Sequence, residues 1–293
     1  MVVRRDSAHA EVMFSGIPLL IVGLTFAALA GAVMKSLAEE LPVALIVWFR
    51  FAGFLVLLFP ITLFRFGSAA LKPTPLWLQA LRGSLLPLST AFFVLGARTM
   101  NYAEAIAVLY VYPFIITLVG PWLLGEPSRV MSWIGVFGGF IGVILIMQPT
   151  AQGLQDMGTL WVLACGMVVA GQMILNRKLG RDINPWLTSM WGAGTALLLL
   201  TPFLPFAWVD LRLDQALLLL LLGLLAAASQ TLFAIAFARA PAAELAPFTY
   251  SEIVAAIVIG LVFFGTLPSL MSWIGIGVIT CSGILVARSQ TMR

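Results

Sequence analysis

The chain contains few of the residues on which catalysis depends. Charged residues make up 10% of its 293 residues, and its single histidine, His9, lies in a polar amino-terminal segment. One histidine there suits neither a paired-histidine zinc site nor a Ser-His-Asp triad. No Gly-Lys pair occurs, so the phosphate-cradling loop G-x-x-x-x-G-K is absent from the sequence. We therefore expect no metal, no cofactor and no enzymatic activity, and no ATP-driven step within this chain.

Polar surface is also too scarce for a water-soluble globule. Apolar residues reach 61% and the mean hydropathy is +1.07, values typical of a chain that folds in lipid. A helix rises about 1.5 Å per residue, so roughly 20 residues cross a hydrocarbon core of about 30 Å. The predicted fold class is an all-α polytopic membrane protein with ten transmembrane helices. These spans 1 to 10 cover residues 16–36, 42–64, 76–95, 103–124, 130–147, 157–175, 185–208, 216–237, 242–264 and 270–287.

The sequence repeats itself at about half its length. Shifting it by 140 residues aligns residues 81–148 with 221–288 without a gap, and 17 of the 68 pairs are identical, including the string MSWIG at Met131 and Met271. We predict two units, residues 1–148 with spans 1 to 5 and residues 149–293 with spans 6 to 10. Because five is odd, the second unit enters the membrane from the opposite side, so the units are inverted repeats.

Basic residues in the connections predict the orientation. Only Lys35, Arg98 and Arg212 lie on one side, whereas eleven basic residues lie on the other. The positive-inside rule then places both termini in the cytoplasm, in a cytoplasmic (inner) membrane. The net charge of +4 reflects this bias, so we expect the lipid bilayer, and not nucleic acid, as the large partner. The eleven are Arg4, Arg5, Arg65, Lys72, Arg129, Arg177, Lys178, Arg181, Arg239, Arg288 and Arg293.

Charged residues inside spans are costly, so each is a functional candidate. Glu252 lies about ten residues into span 9, and its repeat partner is Tyr112. Its carboxylate can bind a substrate amine, carry a proton, or form a structural ion pair with Arg50 or Arg82. Arg50 in span 2 can meet a substrate carboxylate or pair structurally. Arg82, near the start of span 3, is expected to anchor at the interface through its long side chain.

Neutral polar residues complete a predicted substrate-binding set. Ser89 and Thr90 in span 3 match Ser229 and Gln230 in span 8. Tyr110 matches Tyr250, which is followed by Ser251. Residues related by the repeat lie around a common centre, where inverted-repeat transporters bind substrate. Hydrogen bonds between helices explain the same residues equally well. The substrate-binding prediction is Arg50, Ser89, Thr90, Tyr110, Ser229, Gln230, Tyr250, Ser251 and Glu252.

Glycine, proline and acidic residues predict supporting features. Span 5 contains two overlapping G-x-x-x-G patterns that begin at Gly135 and Gly138. With span 10 it is expected to form a scaffold pair or a weak homodimer contact, in a protein that is otherwise monomeric. Pro87 and Pro113 are expected to kink spans 3 and 4. Two acids at span starts are expected to cap helices, with gate-like pairing to arginines as the alternative: Glu104 and Glu244.

The run from Arg82 to Glu126, followed by WIGVFGGFIGVILIMQP from Trp133, resembles the EamA-type members of the drug/metabolite transporter superfamily. Arg50 in span 2 and Gly125-Glu126 after span 4 fit the same pattern, but the second half has Gly265-Thr266 in place of Gly-Glu. The resemblance implies a central cavity lined by helices 1 to 4 and 6 to 9, and often export of amino acids or related metabolites.

Together these features predict a secondary transporter that exports small metabolites by alternating access, with a zwitterionic amino acid as the first expectation. Drugs and nucleoside or nucleotide derivatives are the alternatives. A membrane enzyme would need paired catalytic groups, and a channel would need a continuous polar stripe; the clustering of polar residues at mid-depth favours a carrier. Coupling to protons is left open.

Overall fold

The computed structural model describes residues 3–72, 75–123, 130–148, 157–179, 184–240 and 245–291. These ranges are helical and contain no strand. Eight helices in them are long and apolar enough to cross a membrane, and two shorter apolar helices are Trp133–Met147 and Leu270–Val286. The chain is therefore a multi-pass membrane protein, and the count of ten spans stays a prediction.

The helices follow the order of the predicted spans, and we number them accordingly. The first half contains α1 (Val3–Ala38), α2 (Val43–Phe66), α3 (Leu76–Ala97), α4a (Tyr102–Leu109), α4b (Tyr112–Leu123) and α5 (Val130–Met147). The second half contains α6 (Met157–Leu179), α7 (Pro185–Leu200), α8 (Leu213–Arg239), α9 (Ser251–Phe264) and α10 (Leu270–Thr291). A 3-10 helix, Gly67–Leu71, follows α2. Another, Thr201–Phe203, and the helical turn Leu204–Ala207 follow α7, and a third, Ala246–Tyr250, leads into α9.

Local sequence explains several helix ends. The Asn101 side chain accepts a hydrogen bond from the Ala103 N–H at the start of α4a, and Asn184 does the same for Trp186 at the start of α7. Gly265 ends α9 with φ of 63°, a left-handed conformation in which glycine avoids the strain of a Cβ atom. The side chain that caps α4a is thus that of Asn101, three residues before Glu104, which was expected to cap this helix.

Helix packing has an approximate two-fold pattern. α1 packs against α8 and α9, and the equivalent helix α6 packs against α3 and both parts of α4. The contact of α2 with α8 matches that of α7 with α3. In addition, α2 contacts its counterpart α7, and α5 contacts its counterpart α10. Exchanging each helix for its repeat partner therefore reproduces these principal contacts, as two similar units require.

The glycines of α5 allow this helix to pack closely against another helix of the same chain. A Cβ atom on Gly142 would lie 2.8 Å from the Gly275 carbonyl oxygen of α10, and one on Gly138 would clash with Ser282. The two helices therefore pack closely as a pair, in line with the expected scaffold role. A homodimer through this pair stays a prediction, and it would have to use outer residues such as Phe137 and Ile141, which are exposed.

Two placements differ from the sequence predictions. Span 4 is not one helix, because α4a ends at Leu109 and α4b begins at Tyr112, just before Pro113, which cannot donate a backbone hydrogen bond. The kink expected at Pro113 is confirmed as a break. Lys35, at the predicted end of span 1, does lie in the last turn of α1, but it is buried against neighbouring helices and only 8% exposed. Its ammonium donates to the carbonyl oxygens of Ala97 and Met100 at the end of α3.

Candidate functional site

A cavity of about 210 Å³ lies between the two halves. Its described lining comes from α1, α2, α3, α4a, α6, α7, α8 and α9, and none of it comes from α5 or α10. Both repeats therefore build the cavity, and the glycine-packed pair stands outside it. The lining has three phenylalanines, Phe51, Phe54 and Phe93, and its charged or amide residues are Arg50, Arg82, Gln172, Gln230 and Glu252.

The cavity brings together five of the nine residues predicted to bind substrate: Arg50, Ser89, Thr90, Gln230 and Glu252. The other four lie outside the lining. Ser229 is buried behind it, and the buried Ser251 hydroxyl has no hydrogen-bond partner among the described residues. Tyr250 packs its hydroxyl against Gly283 of α10. A binding role for the set stays a prediction, with Tyr110 and Tyr250 better placed to support the site than to line it.

Both halves interrupt a helix at the same repeat position. Tyr110 lies between α4a and α4b, and Tyr250, which is 140 residues later, ends the 3-10 helix before α9. The two rings pack against each other with centroids 5.1 Å apart. Interrupted helices free backbone carbonyls inside a membrane protein, where protein groups must satisfy them. The Thr249 carbonyl is such a group.

Glu252 sits at this crossing of the repeats. The Tyr110 hydroxyl lies 2.7 Å from Glu252 Oε2 and 2.6 Å from the Thr249 carbonyl oxygen. A hydroxyl has one hydrogen, and a carboxylate and a carbonyl can only accept. An ionised Glu252 would have to share the one Tyr110 hydrogen with the Thr249 carbonyl, whereas a protonated Glu252 can donate to Tyr110 while Tyr110 donates to Thr249. The geometry can therefore hold an uncharged Glu252.

Glu252 was also considered as half of an ion pair, and the structure does not show one. In the described ranges neither Arg50 nor Arg82 lies within ion-pair distance of its carboxylate. Arg50 Nη1 instead lies 3.4 Å from Thr90 Oγ1 and 3.4 Å from Met34 Sδ, and its guanidinium lies over the Phe51 ring. Among the described residues Arg50 thus lines the cavity with no carboxylate at ion-pair distance.

The prediction that Arg82 anchors at the interface is wrong. Arg82 is 9% exposed and lines the cavity. Its Nε donates to Asn176 Oδ1, and its Nη1 donates to the Thr188 carbonyl oxygen at 3.0 Å. Its position along span 3 suggested an interfacial depth, but α6 and α7 cover that turn of α3. The burial of Arg82 is decided by how the helices pack against one another, which cannot be read from the sequence.

The sequence analysis also missed Gln172. Its Nε2 donates to the Leu85 carbonyl at 2.8 Å and to Ser89 Oγ at 2.9 Å, so it fixes a turn of α3 beside the cavity. The signal was available, because Gln172 and Asn176 are polar residues one helical turn apart in an otherwise apolar span. Such a pair is typical of hydrogen bonding between membrane helices.

A polar network joins the halves at the end of the molecule where α1 and α2 meet. Arg212 Nη2 lies 2.9 Å from Glu40 and 2.8 Å from Asp214, and Gln215 donates to Glu40 at 2.6 Å. The Asp214 hydrogen bonds, followed by the charges of Asp214 and Glu40, raise the pKa of the exposed Arg212 guanidinium. Arg98 takes no part, because it donates to the Leu41 carbonyl.

Of the two gate-like pairings, only that of Glu104 with Arg98 falls within the described residues, and it is not seen there. Glu104 does not pair with Arg98; its Oε1 accepts from the Ser269 N–H at 3.4 Å, a contact between the halves. Glu244 and the Gly125-Glu126 pair fall outside the described residues, so their predicted roles are untouched by the structure. The network around Glu40 and the Glu104 contact both join the first half to the second.

Comparison with known proteins agrees with this architecture. Residues 14–148 and residues 156–288 each match the EamA-like transporter family. A riboflavin transporter of Rhizobium johnstonii is 29% identical over 78% of this chain and 76% of its own. A riboflavin transporter of Brucella anthropi is 24% identical over 86% and 90%, and an S-adenosylmethionine uptake transporter of Rickettsia prowazekii is 22% identical over 87% and 86%. One crystal structure, 20% identical, superimposes with a TM-score of 0.64 over 97% of this chain and 99% of its own.

Proposed function

Because the chain belongs to the EamA-like transporter family, we propose that it is a secondary carrier for a small heteroaromatic metabolite with hydroxyl or amino-acid groups. It moves this substrate across the cytoplasmic membrane by alternating access. The ten spans, their inverted halves and the cytoplasmic termini belong to the same proposal and rest on the repeat and on the loop charges.

One observation carries the substrate class. The central cavity combines the aromatic rings of Phe51, Phe54 and Phe93 with the polar groups of Thr90 and Gln230. Aromatic faces favour a flat ring, while hydroxyl and amide groups bind polar substituents and fix the orientation. The named relatives fit that chemistry, since riboflavin and S-adenosylmethionine both join a heteroaromatic ring to a hydroxylated sugar-like unit.

A second candidate is the zwitterionic amino acid that the sequence analysis placed first. Its support is the presence of Arg50 and Glu252 in one cavity, because a guanidinium binds a carboxylate and a carboxylate binds an amine. None of the relatives reported above is named as an amino-acid transporter, so this candidate is now second. Export, expected at first, is likewise replaced by a direction to be measured.

Uptake into proteoliposomes tests the proposal. The purified full chain is reconstituted, and radiolabelled riboflavin, S-adenosylmethionine and a mixture of amino acids are offered in turn. We expect protein-dependent uptake of at least one heteroaromatic compound. The substitution Gln230→Ala should reduce this uptake, whereas the control substitution Asp210→Asn, at an exposed residue, should leave it unchanged. Uptake of amino acids alone would replace the first candidate by the second.

A further inference from the structure

Arg82 has hydrogen-bond capacity that the protein does not use. A guanidinium carries five N–H donors. In the described part of the chain two of them are used, one by Asn176 and one by the Thr188 carbonyl. No acidic residue pairs with Arg82 in that part, and its side chain is largely shielded from bulk water. Three donors therefore have no acceptor among the described residues, on a positively charged side chain that lines the cavity.

The surroundings hold the guanidinium in place. Asn176 of α6 accepts from Nε, and the Thr188 carbonyl of α7 accepts from Nη1. Gly192, one turn further along α7, leaves room for the group, because a Cβ atom there would lie 2.8 Å from Arg82 Nη1. Ser189, next in the chain to Thr188, also lines the cavity, and its hydroxyl has no hydrogen-bond partner among the described residues. These contacts make a fixed donor set.

The charge of the cavity favours an anion. Its described lining contains Arg50, Arg82 and a single acid, Glu252, which is engaged by Tyr110. Even with Glu252 ionised, one positive charge is uncompensated, and an unpaired buried charge is costly. A ligand that brings a negative group removes that cost and gains charge-assisted hydrogen bonds.

The two arginines act at different places. Arg50 contacts Thr90, which lies eight residues after Arg82 on α3, a separation of about 12 Å along a helix that rises about 1.5 Å per residue. Leu86, which lies between Arg82 and Thr90 on α3, is apolar and lines the cavity, as does Phe54 of α2. An elongated ligand with polar ends and an apolar middle fits this arrangement.

We propose that Arg82 and Ser189 form a subsite for an anionic oxygen group, a carboxylate or a phosphate, on the transported metabolite, with Asn176 and Gly192 as positioning residues. The proposal rests on the proposed function and narrows its substrate class. It implies that compounds identical except for this anionic group differ in affinity.

Isothermal titration calorimetry on the full chain in lipid nanodiscs tests the anionic subsite with two pairs of compounds. Riboflavin 5′-phosphate is compared with riboflavin, and S-adenosylmethionine with its decarboxylated analogue. For the wild type we expect the acidic member of at least one pair to bind roughly tenfold or more tightly, the size of a lost charge-assisted hydrogen bond. The pair that shows the preference distinguishes phosphate from carboxylate.

Variants assign the preference to Arg82. Arg82→Gln should abolish the preference for the acidic compound, and Arg82→Lys should retain part of that preference. The control Arg239→Gln, which removes an exposed arginine outside the cavity, should leave the preference intact. If Arg82→Gln does not fold, Gly192→Ala makes the same comparison by displacing the guanidinium. Equal affinities within both pairs, or a preference that survives Arg82→Gln, would overturn the subsite while leaving the proposed function in place. If none of the four compounds binds, the substrate class itself fails and the subsite with it.

Discussion

Replacing Glu252 by glutamine separates the charge of this residue from its packing. In the structure the Tyr110 hydroxyl lies between Glu252 and the Thr249 carbonyl oxygen. A glutamine amide can donate to Tyr110 as a protonated carboxyl does, while Tyr110 donates to Thr249. Because every hydrogen bond is kept, Glu252→Gln should change the free energy of unfolding by no more than about 1 kcal/mol. It can never carry a negative charge or release a proton.

Transport should respond very differently. If Glu252 binds a cationic group or exchanges a proton, the variant loses an interaction with a charged partner. Such an interaction typically contributes about 1.5–3 kcal/mol, which corresponds to a roughly 10- to 150-fold decrease in affinity or rate. We expect transport in proteoliposomes to fall by at least roughly tenfold, and its dependence on pH to flatten. Thermal unfolding in detergent checks the stability, and Asp210→Asn removes an exposed acid as the matched control. A wild-type rate with unchanged pH dependence would refute the functional role of Glu252.

Three further predictions address the cavity, the helix crossing and the topology. Gln230→Ala should weaken transport more than Ser229→Ala, because only the first of these neighbours lines the cavity; equal effects would move the site. Gly53→Ala should lower the free energy of unfolding by about 1–3 kcal/mol, since its Cβ would lie 2.6 Å from Gly223 Cα, whereas Gly277→Ala meets nothing within 4 Å and serves as the control. Reporter fusions at Arg293 and in the 149–155 connection should report opposite sides of the membrane; the same side for both would remove the inverted arrangement.

The sequence predicted those parts of the fold that depend on averages over many residues. Hydropathy located the eight helices that are long enough to cross a membrane to within a few residues, because burial in lipid requires long apolar runs. The repeat predicted that equivalent residues lie close together, and the rings of Tyr110 and Tyr250 pack with their centroids 5.1 Å apart. The break beside Pro113 followed from the missing backbone donor, although its position at Tyr110 did not.

Side-chain environments were less predictable. Lys35 and Arg82 were expected at the membrane surface, yet both are buried, because neighbouring helices cover them and supply carbonyl acceptors. The contact between Tyr110 and Glu252 joins residues 142 positions apart. Neither the depth of a residue along its span nor its neighbours in sequence specify which helix packs over it. Three-dimensional packing decides which polar residues face the cavity and which face another helix.

Counterflow in proteoliposomes tests most directly whether the cavity between the halves works by alternating access. Vesicles are loaded with an excess of the unlabelled substrate found in the uptake assay, and a trace of labelled substrate is added outside. A carrier that exposes one site to each side in turn predicts that the label transiently accumulates above its equilibrium level, and that Gln230→Ala diminishes this overshoot. Simple equilibration of the label, at a rate that the internal substrate does not increase, would contradict the account and indicate a channel.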